Sequence, residues 1–175
     1  RVLLPLLRAV GVDLDLLVLS HRDSDHVGGA ESVLAMHPRA GLLAALEPEH
    51  GLWVLRQGRR CEAGQSWHWD GVEFSVVHPQ AGDYDLPHKP NAVSCVLRIR
   101  AAWRAGQTGG VALLAGVIVA AQEKRLVAEA AALSADLLLV PHHGSSTSSS
   151  GAFLDAVAPR HAVVQSGYRN RFGHP

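Results

Sequence analysis

Nothing in this chain has the length and apolarity of a membrane-spanning helix. The longest apolar run, Val111–Ala121, falls well short of the roughly 20 residues that a bilayer requires. The opening residues do not read as a signal peptide. Methionine occurs once, at Met36, and the chain stops abruptly at Gly173-His174-Pro175; both features read as a piece of a longer protein. Cysteine occurs twice, as Cys61 and Cys95, and neither belongs to a CxxC. A cysteine zinc site or a dithiol redox motif is thereby excluded. A disulfide and two free thiols both stay open, with two small buried hydrophobes the plainer expectation. Charge of one sign is not in excess either, because 16 basic residues meet 16 acidic ones. A general polyanion binder would be basic, so any nucleic-acid contact must use a local patch.

The composition, 47% hydrophobic and 18% charged, has no bias toward disorder, collagen or coiled coil. The 175 residues suffice for one domain with a sizeable core, residues 1–175, and are short for two. What stands out is histidine, present 11 times against 3 Phe and 2 Tyr. Histidine is the commonest metal ligand and a common proton carrier, so this bias points to a site.

Secondary structure is legible in most segments. Leu3–Val10 reads as a helix ending at Gly11, and Leu14–Ser20 as a strand buried on both faces. Gly29–Met36 reads as a helix stopped by Pro38, and Leu42–Leu46 as a second buried strand. Trp67–Trp69 and Val72–Val77 flank Asp70-Gly71, a hairpin signal. A loop with Pro79, Pro87 and Pro90 follows. Val93–Arg100 and Val111–Ala115 read as strands joined by a Gly-rich turn. Gln122–Leu133 reads as a helix with Leu126, Ala130 and Leu133 on one face. Leu137–Val140 is predicted as a strand, Ser150–Val157 as a helix and Ala162–Gln165 as a last strand. This mixture predicts an α/β (α+β) protein, sheets in a sandwich covered by helices, with functional loops at strand ends.

The sharpest chemistry lies in Ser20–Gly29, SHRDSDHVGG. His21, Asp23, Asp25 and His26 fall close together just after a predicted buried strand, where a tight loop can turn them toward one point. Imidazole with carboxylate suits zinc, manganese or iron. A polar turn capping the next helix explains Asp25, but not the alternating HxDxDH followed by two glycines. A second cluster is Pro141-His142-His143-Gly144-Ser145, after the strand Leu137–Val140; a histidine there can close a metal site. Asn91 and Ser94 offer an amide and a hydroxyl to a phosphate oxygen or a metal's water, or simply form a turn into a strand.

SHRDSDHVGG resembles the HxHxDH signature of the metallo-β-lactamase fold, with Asp23 at the second histidine. In its HxDxDHxGG form it is similar to the C-terminal domain of the ComEC family of DNA-uptake proteins. CEAGQSWHWDGVEFSVVHP, NAVSCVLRI, LLVPHHGSSTSSS and SGYRNRFGHP follow in the family's order. The resemblance implies an αββα sandwich, incomplete at its N-terminus because a segment like DVGQGD is absent here. It implies a hydrolase, a phosphodiesterase or nuclease that processes DNA during competence uptake. It implies one or two divalent ions, Zn or Mn, held by His21, Asp23, Asp25, His26 and His142, with His143 as the alternative to His142. Asp25, Asn91 and Ser94 would be the catalytic residues, and no small organic cofactor is expected. DNA, as a single strand or the degraded strand, and a transmembrane channel portion of the same protein would be the partners. The place would be the extracytoplasmic face of a bacterial membrane.

One segment departs from the pattern. In LLAGVIVAA (Leu113–Ala121), Val117 stands where the resemblance expects a metal-bridging carboxylate and Val119 where it expects an acid. Valine has no donor atom, so activity is expected to be impaired. Two alternatives follow, a non-catalytic DNA-guiding domain and a hydrolase of the same fold acting on a small ester or lactam. His78, His88, His161 and His174 read as surface or backbone-bonded histidines. Arg98, Arg100 and Arg104, and Arg169 with Arg171, form short basic runs that suit either a solvated face or a DNA backbone.

Overall fold

The computed structural model describes residues 3–85, 87–102, 109–129, 131–167, 169–170 and 172–174. They form two compact units, divided between Arg60 and Cys61.

The first unit opens with helix α1 (Leu3–Val10). Gly11 ends it at φ +64°, a left-handed conformation that glycine adopts without a Cβ penalty. Strand β1 (Leu16–Leu19) leads into helices α2 (Ser24–Val27) and α3 (Ala30–Met36), then strand β2 (Gly41–Ala44), helix α4 (Leu52–Leu55) and strand β3 (Arg59–Arg60). The three strands lie in the order β1-β2-β3, all parallel. Parallel neighbours need a crossover, and α2 and α3 supply it between β1 and β2. Leu19, Ala30, Leu34, Leu42, Ala44, Leu46 and Leu52 form the core. The expectation of burial on both faces holds for central β2 and fails for β1. In β1 only Leu19 is buried, because an edge strand has a neighbour on one side alone. The short α4 and two-residue β3 escaped the sequence reading, since neither has room for a hydrophobic period.

The second unit holds a six-stranded sheet in chain order: β4 (Ser66–Trp69), β5 (Val72–His78), β6 (Val96–Ala101), β7 (Gly110–Leu114), β8 (Leu137–Leu139) and β9 (His161–Val163). Strands β4 to β7 run antiparallel, and β8 and β9 add in parallel. The predicted hairpin is present, with Trp69 opposite Val72. Asp70 and Gly71 both take positive φ, 47° and 81°, the combination that fits the twist of a two-residue hairpin. Helix α5 (Ala120–Ala128) crosses from β7 to β8, and α6 (Gly151–Val157) from β8 to β9. Val96, Leu113, Ile118, Leu126, Leu138, Phe153 and Val157 are fully or almost fully buried between sheet and helices.

Three boundaries differ from expectation. The run Pro90–Val93 forms a 3-10 turn, so β6 begins at Val96; proline fixes φ and removes a ladder donor. Helix α5 stops at Ala128, whereas Leu133 is buried beyond it. The chain leaves the helix so that Ala135 N–H reaches Val157 O at 3.0 Å. Ala130, predicted on the helix face, and the Gly-rich turn before β7 (largely residues 103–108) lie outside the described residues. Strand β9 begins at His161 and is exposed along its length, as the sheet's last member.

Cys61 and Cys95 form a disulfide, with Cα atoms 5.9 Å apart. This corrects the plainer expectation of two free hydrophobes, although both residues are buried. Among the described residues, no helix is long and apolar enough to cross a membrane.

Candidate metal centre

The HxDxDH loop leaves the carboxyl end of β1, where ligands of open parallel sheets commonly bind. Asp23 O receives the His26 and Val27 amides at 2.8 and 3.0 Å, which starts α2 and folds the loop back on itself. His21, 2% exposed, and His26 stand edge to face with ring centroids 4.2 Å apart. His21 Nε2 lies 3.2 Å from Asp23 Oδ2, and His26 Nε2 lies 3.4 Å from Asp25 Oδ2. Thus the four predicted residues of this loop form two imidazole–carboxylate pairs, which meet through the two rings.

Ser20 completes the arrangement. Its hydroxyl lies 3.3 Å from His21 Nδ1 and 2.9 Å from His26 Nδ1. One oxygen therefore orients both rings and leaves each Nε2 on the carboxylate side. Partners of this kind fix the tautomer and direction of ligating histidines. The sequence reading passed over Ser20; its signal was a hydroxyl beside the first histidine of the motif. Arg22 pairs with Glu47 at 2.7 Å, so the loop's cation is directed to a carboxylate outside the cluster.

In the second unit, His142 and His143 follow β8 in a 3-10 turn and both take left-handed backbone, φ 53° and 57°. Gly144 continues at φ 80°. The His142 amide donates to Gly116 O at 3.0 Å, which ties this turn to the loop after β7. The His142 ring is held on both nitrogens, Nε2 at 3.2 Å from Asn91 Nδ2 and Nδ1 at 3.1 Å from Thr147 Oγ1. His143 Nδ1 lies 2.7 Å from Gln165 O. His174 stacks with Phe172 and lies 6.1 Å from His142, ring to ring. Pro87, Lys89, Asn91, Gln122, His142 and Thr147 line a cavity of about 670 Å³.

Asn91 thus reaches His142 across 51 positions of sequence. Ser94 is fully buried, and its Oγ accepts the Val117 amide at 3.0 Å. Val117 is itself buried at 2% exposure, on the loop whose Gly116 holds His142. His78 is backbone-bonded as expected, to Ala92 O at 2.9 Å. Of the basic runs, Arg100 pairs with Glu73 directly opposite on β5 and, by its hydrogen bond, holds that carboxyl below its usual range. Arg104 and Arg171 lie outside the described residues.

No family model matches the chain. It is 43% identical over 177 residues to competence protein ComA of Neisseria gonorrhoeae, a match that covers 99% of this chain and 23% of that protein. It is 31% identical over 188 residues to ComE operon protein 3 of Bacillus subtilis (strain 168), covering 100% and 23%. The chain therefore spans about a quarter of these relatives' length. A solved class B3 metallo-β-lactamase with an active-site glutamic acid superposes with a TM-score of 0.55 at 14% identity, over 87% of this chain and 69% of that one. The fold is that of the metallo-β-lactamases, a mixed α/β fold. Within it, the chain belongs with the ComEC-type competence proteins, as a domain-sized part of them.

Proposed function

We propose that this chain is a divalent-metal domain that handles DNA during competence uptake, with the chemistry of a phosphodiesterase. The observation that carries the reading is the Ser20-ordered cluster of His21, Asp23, Asp25 and His26. Imidazole beside carboxylate suits a zinc or manganese ion in charge and in donor type, and the loop offers two such pairs. His142, in the second unit, matches by resemblance the late metal histidine of the fold. A bound ion of this kind supplies charge neutralisation at a phosphate and an activated water. The chain's own residues do the rest. Asp25 serves as the base beside His26. Asn91 caps the His142 ring in the metal-free chain and offers its amide to a phosphate oxygen. Ser94 acts from within, holding the loop of Val117. The partners are a DNA strand and a channel-forming portion of the same protein. An extracytoplasmic location is supported by the Cys61–Cys95 disulfide, since such bonds persist in oxidising compartments.

Val117 favours a second reading, a domain that guides DNA without cutting it, because a buried valine provides no bridging donor. One experiment addresses both. Metal content and nuclease activity in added manganese or zinc are measured for the parent and for the double variant Asp25→Ala, His26→Ala. Metal bound by the parent should be lost in the variant, with any activity. Metal retained at parental stoichiometry and affinity would remove the HxDxDH loop from the site. Metal and DNA binding without cleavage by the parent would select the guiding role.

A further inference from the structure

His78 is completely buried at the end of β5, yet the proposed chemistry leaves it unused. A β-bulge between Val76 and His78 shifts the register so that His78 stands opposite Val96, the first residue of β6. From there its Nε2 lies 2.9 Å from Ala92 O. Its Nδ1 lies 3.0 Å from Arg125 Nη2 and 4.0 Å from Asp83 Oδ2. Arg125, on α5, grips Asp83 with both terminal nitrogens at 2.6 and 2.5 Å. Asp83 also accepts the Gln80 amide at 2.8 Å.

This arrangement dictates a tautomer. A guanidinium can only donate, so His78 Nδ1 is the acceptor and Nε2 carries the hydrogen given to Ala92. Burial reinforces it, pushing the ring down to about 4 against the pull of the Ala92 carbonyl, so the imidazole stays neutral near pH 7. A charged His78 would face the Arg125 guanidinium at hydrogen-bond distance. The Ala92 carbonyl is thus held by a donor that is rigid, neutral and dry. Asn91 precedes it by one residue, and the Asn91 side chain meets His142 Nε2.

We infer that His78, braced by Arg125 and Asp83, is a positioning residue: it fixes the Pro90–Val93 turn and through it sets the Asn91 amide against the His142 ring. The inference rests on the metal reading for its consequence: the Asn91 amide donates to the Nε2 lone pair that an ion would take, so a firmly placed Asn91 opposes ligation by His142. Its geometry stands in the metal-free chain.

The test compares the parent with His78→Gln and His78→Leu in isotope-labelled protein. Glutamine carries an amide N–H to about the place of Nε2, whereas leucine fills the space and donates nothing. In the metal-free chain, the Asn91 side-chain amide and His142 ring signals should move toward free values in His78→Leu and stay near parental in His78→Gln. Manganese or zinc affinity should rise about 10-fold in His78→Leu, the worth of one displaced hydrogen bond, and return to the parental value in His78→Gln. Arg125→Met serves as a second probe should His78→Leu fail to fold, and should displace the same signals. Parental Asn91 and His142 signals in folded His78→Leu or Arg125→Met would overturn the inference. So would a His78→Gln as displaced as His78→Leu. A chain that binds no metal, yet shows the signal changes, would overturn the metal reading and leave the positioning role standing.

Discussion

A buried histidine makes stability depend on pH in one direction. The unfolded His78 ring titrates near 6.5 and the folded one at about 4. As pH falls below 6.5, the unfolded chain takes up a proton that the folded ring refuses, so stability declines until about pH 4 and is full above 6.5. Burial raises Asp83, but its hydrogen bonds from Arg125 prevail and hold it below the usual value; its stabilisation is lost on acidification too, at lower pH. Urea midpoints measured from pH 7.5 to 4.5 should therefore slope downward, and His78→Gln should flatten the upper part of that slope. Val117 supplies a second residue-scale test. Val117→Asp should raise manganese or zinc affinity at least ~10-fold by titration calorimetry, since it restores a direct ligand where lesser partners already count for that much. The metal-free form should lose stability, because an uncompensated carboxylate is buried. Loss of stability with no gain in affinity would make Val117 a core residue and nothing more.

Elements meet at the carboxylate of Glu123. Fully buried on α5, it accepts the Ser149 and Ser150 amides at 2.6 and 2.8 Å and so satisfies donors at the start of α6. Glu123→Ala should strand both, at about 1–3 kcal/mol for each buried donor left unpaired, seen as a lower urea midpoint at pH 7. Serine-rich loops give no sequence clue that a distant glutamate caps them, and this shows where legibility ended. The hairpin at Asp70-Gly71, the buried run of β2 and the HxDxDH loop were readable, because turn chemistry, apolar runs and ligand spacing are local. The edge position of β1, the early end of α5 and the Cys61–Cys95 pairing were not, because each is decided by a neighbour remote in sequence. The candidate site divides along the same line. The two imidazole–carboxylate pairs of its first loop were legible as candidates, whereas the links from Ser94 to Val117 and from Asn91 to His142 exist only once β6, β7 and β8 lie side by side.

At the scale of the whole molecule, the disulfide closes a span of 34 residues wholly inside the second unit. Restricting the unfolded chain over that span is worth about 3–4 kcal/mol in the loop-entropy account. Dithiothreitol should therefore lower the unfolding midpoint followed by Trp67 and Trp69, both in the second unit, and leave that followed by Trp53, in the first, where no cysteine exists. Single-tryptophan versions of the chain separate these signals; equal shifts in both would mean the two units unfold as one. The turn of His142 and His143 bears on a different matter, the chain's evolutionary latitude. Two consecutive side-chain-bearing residues in left-handed backbone cost roughly 1–2 kcal/mol each, which glycine at the same places would not. Selection for heat resistance alone would thus replace these histidines, and selection for ligand binding would retain them. Under relaxed function, this turn is where the sequence should drift first.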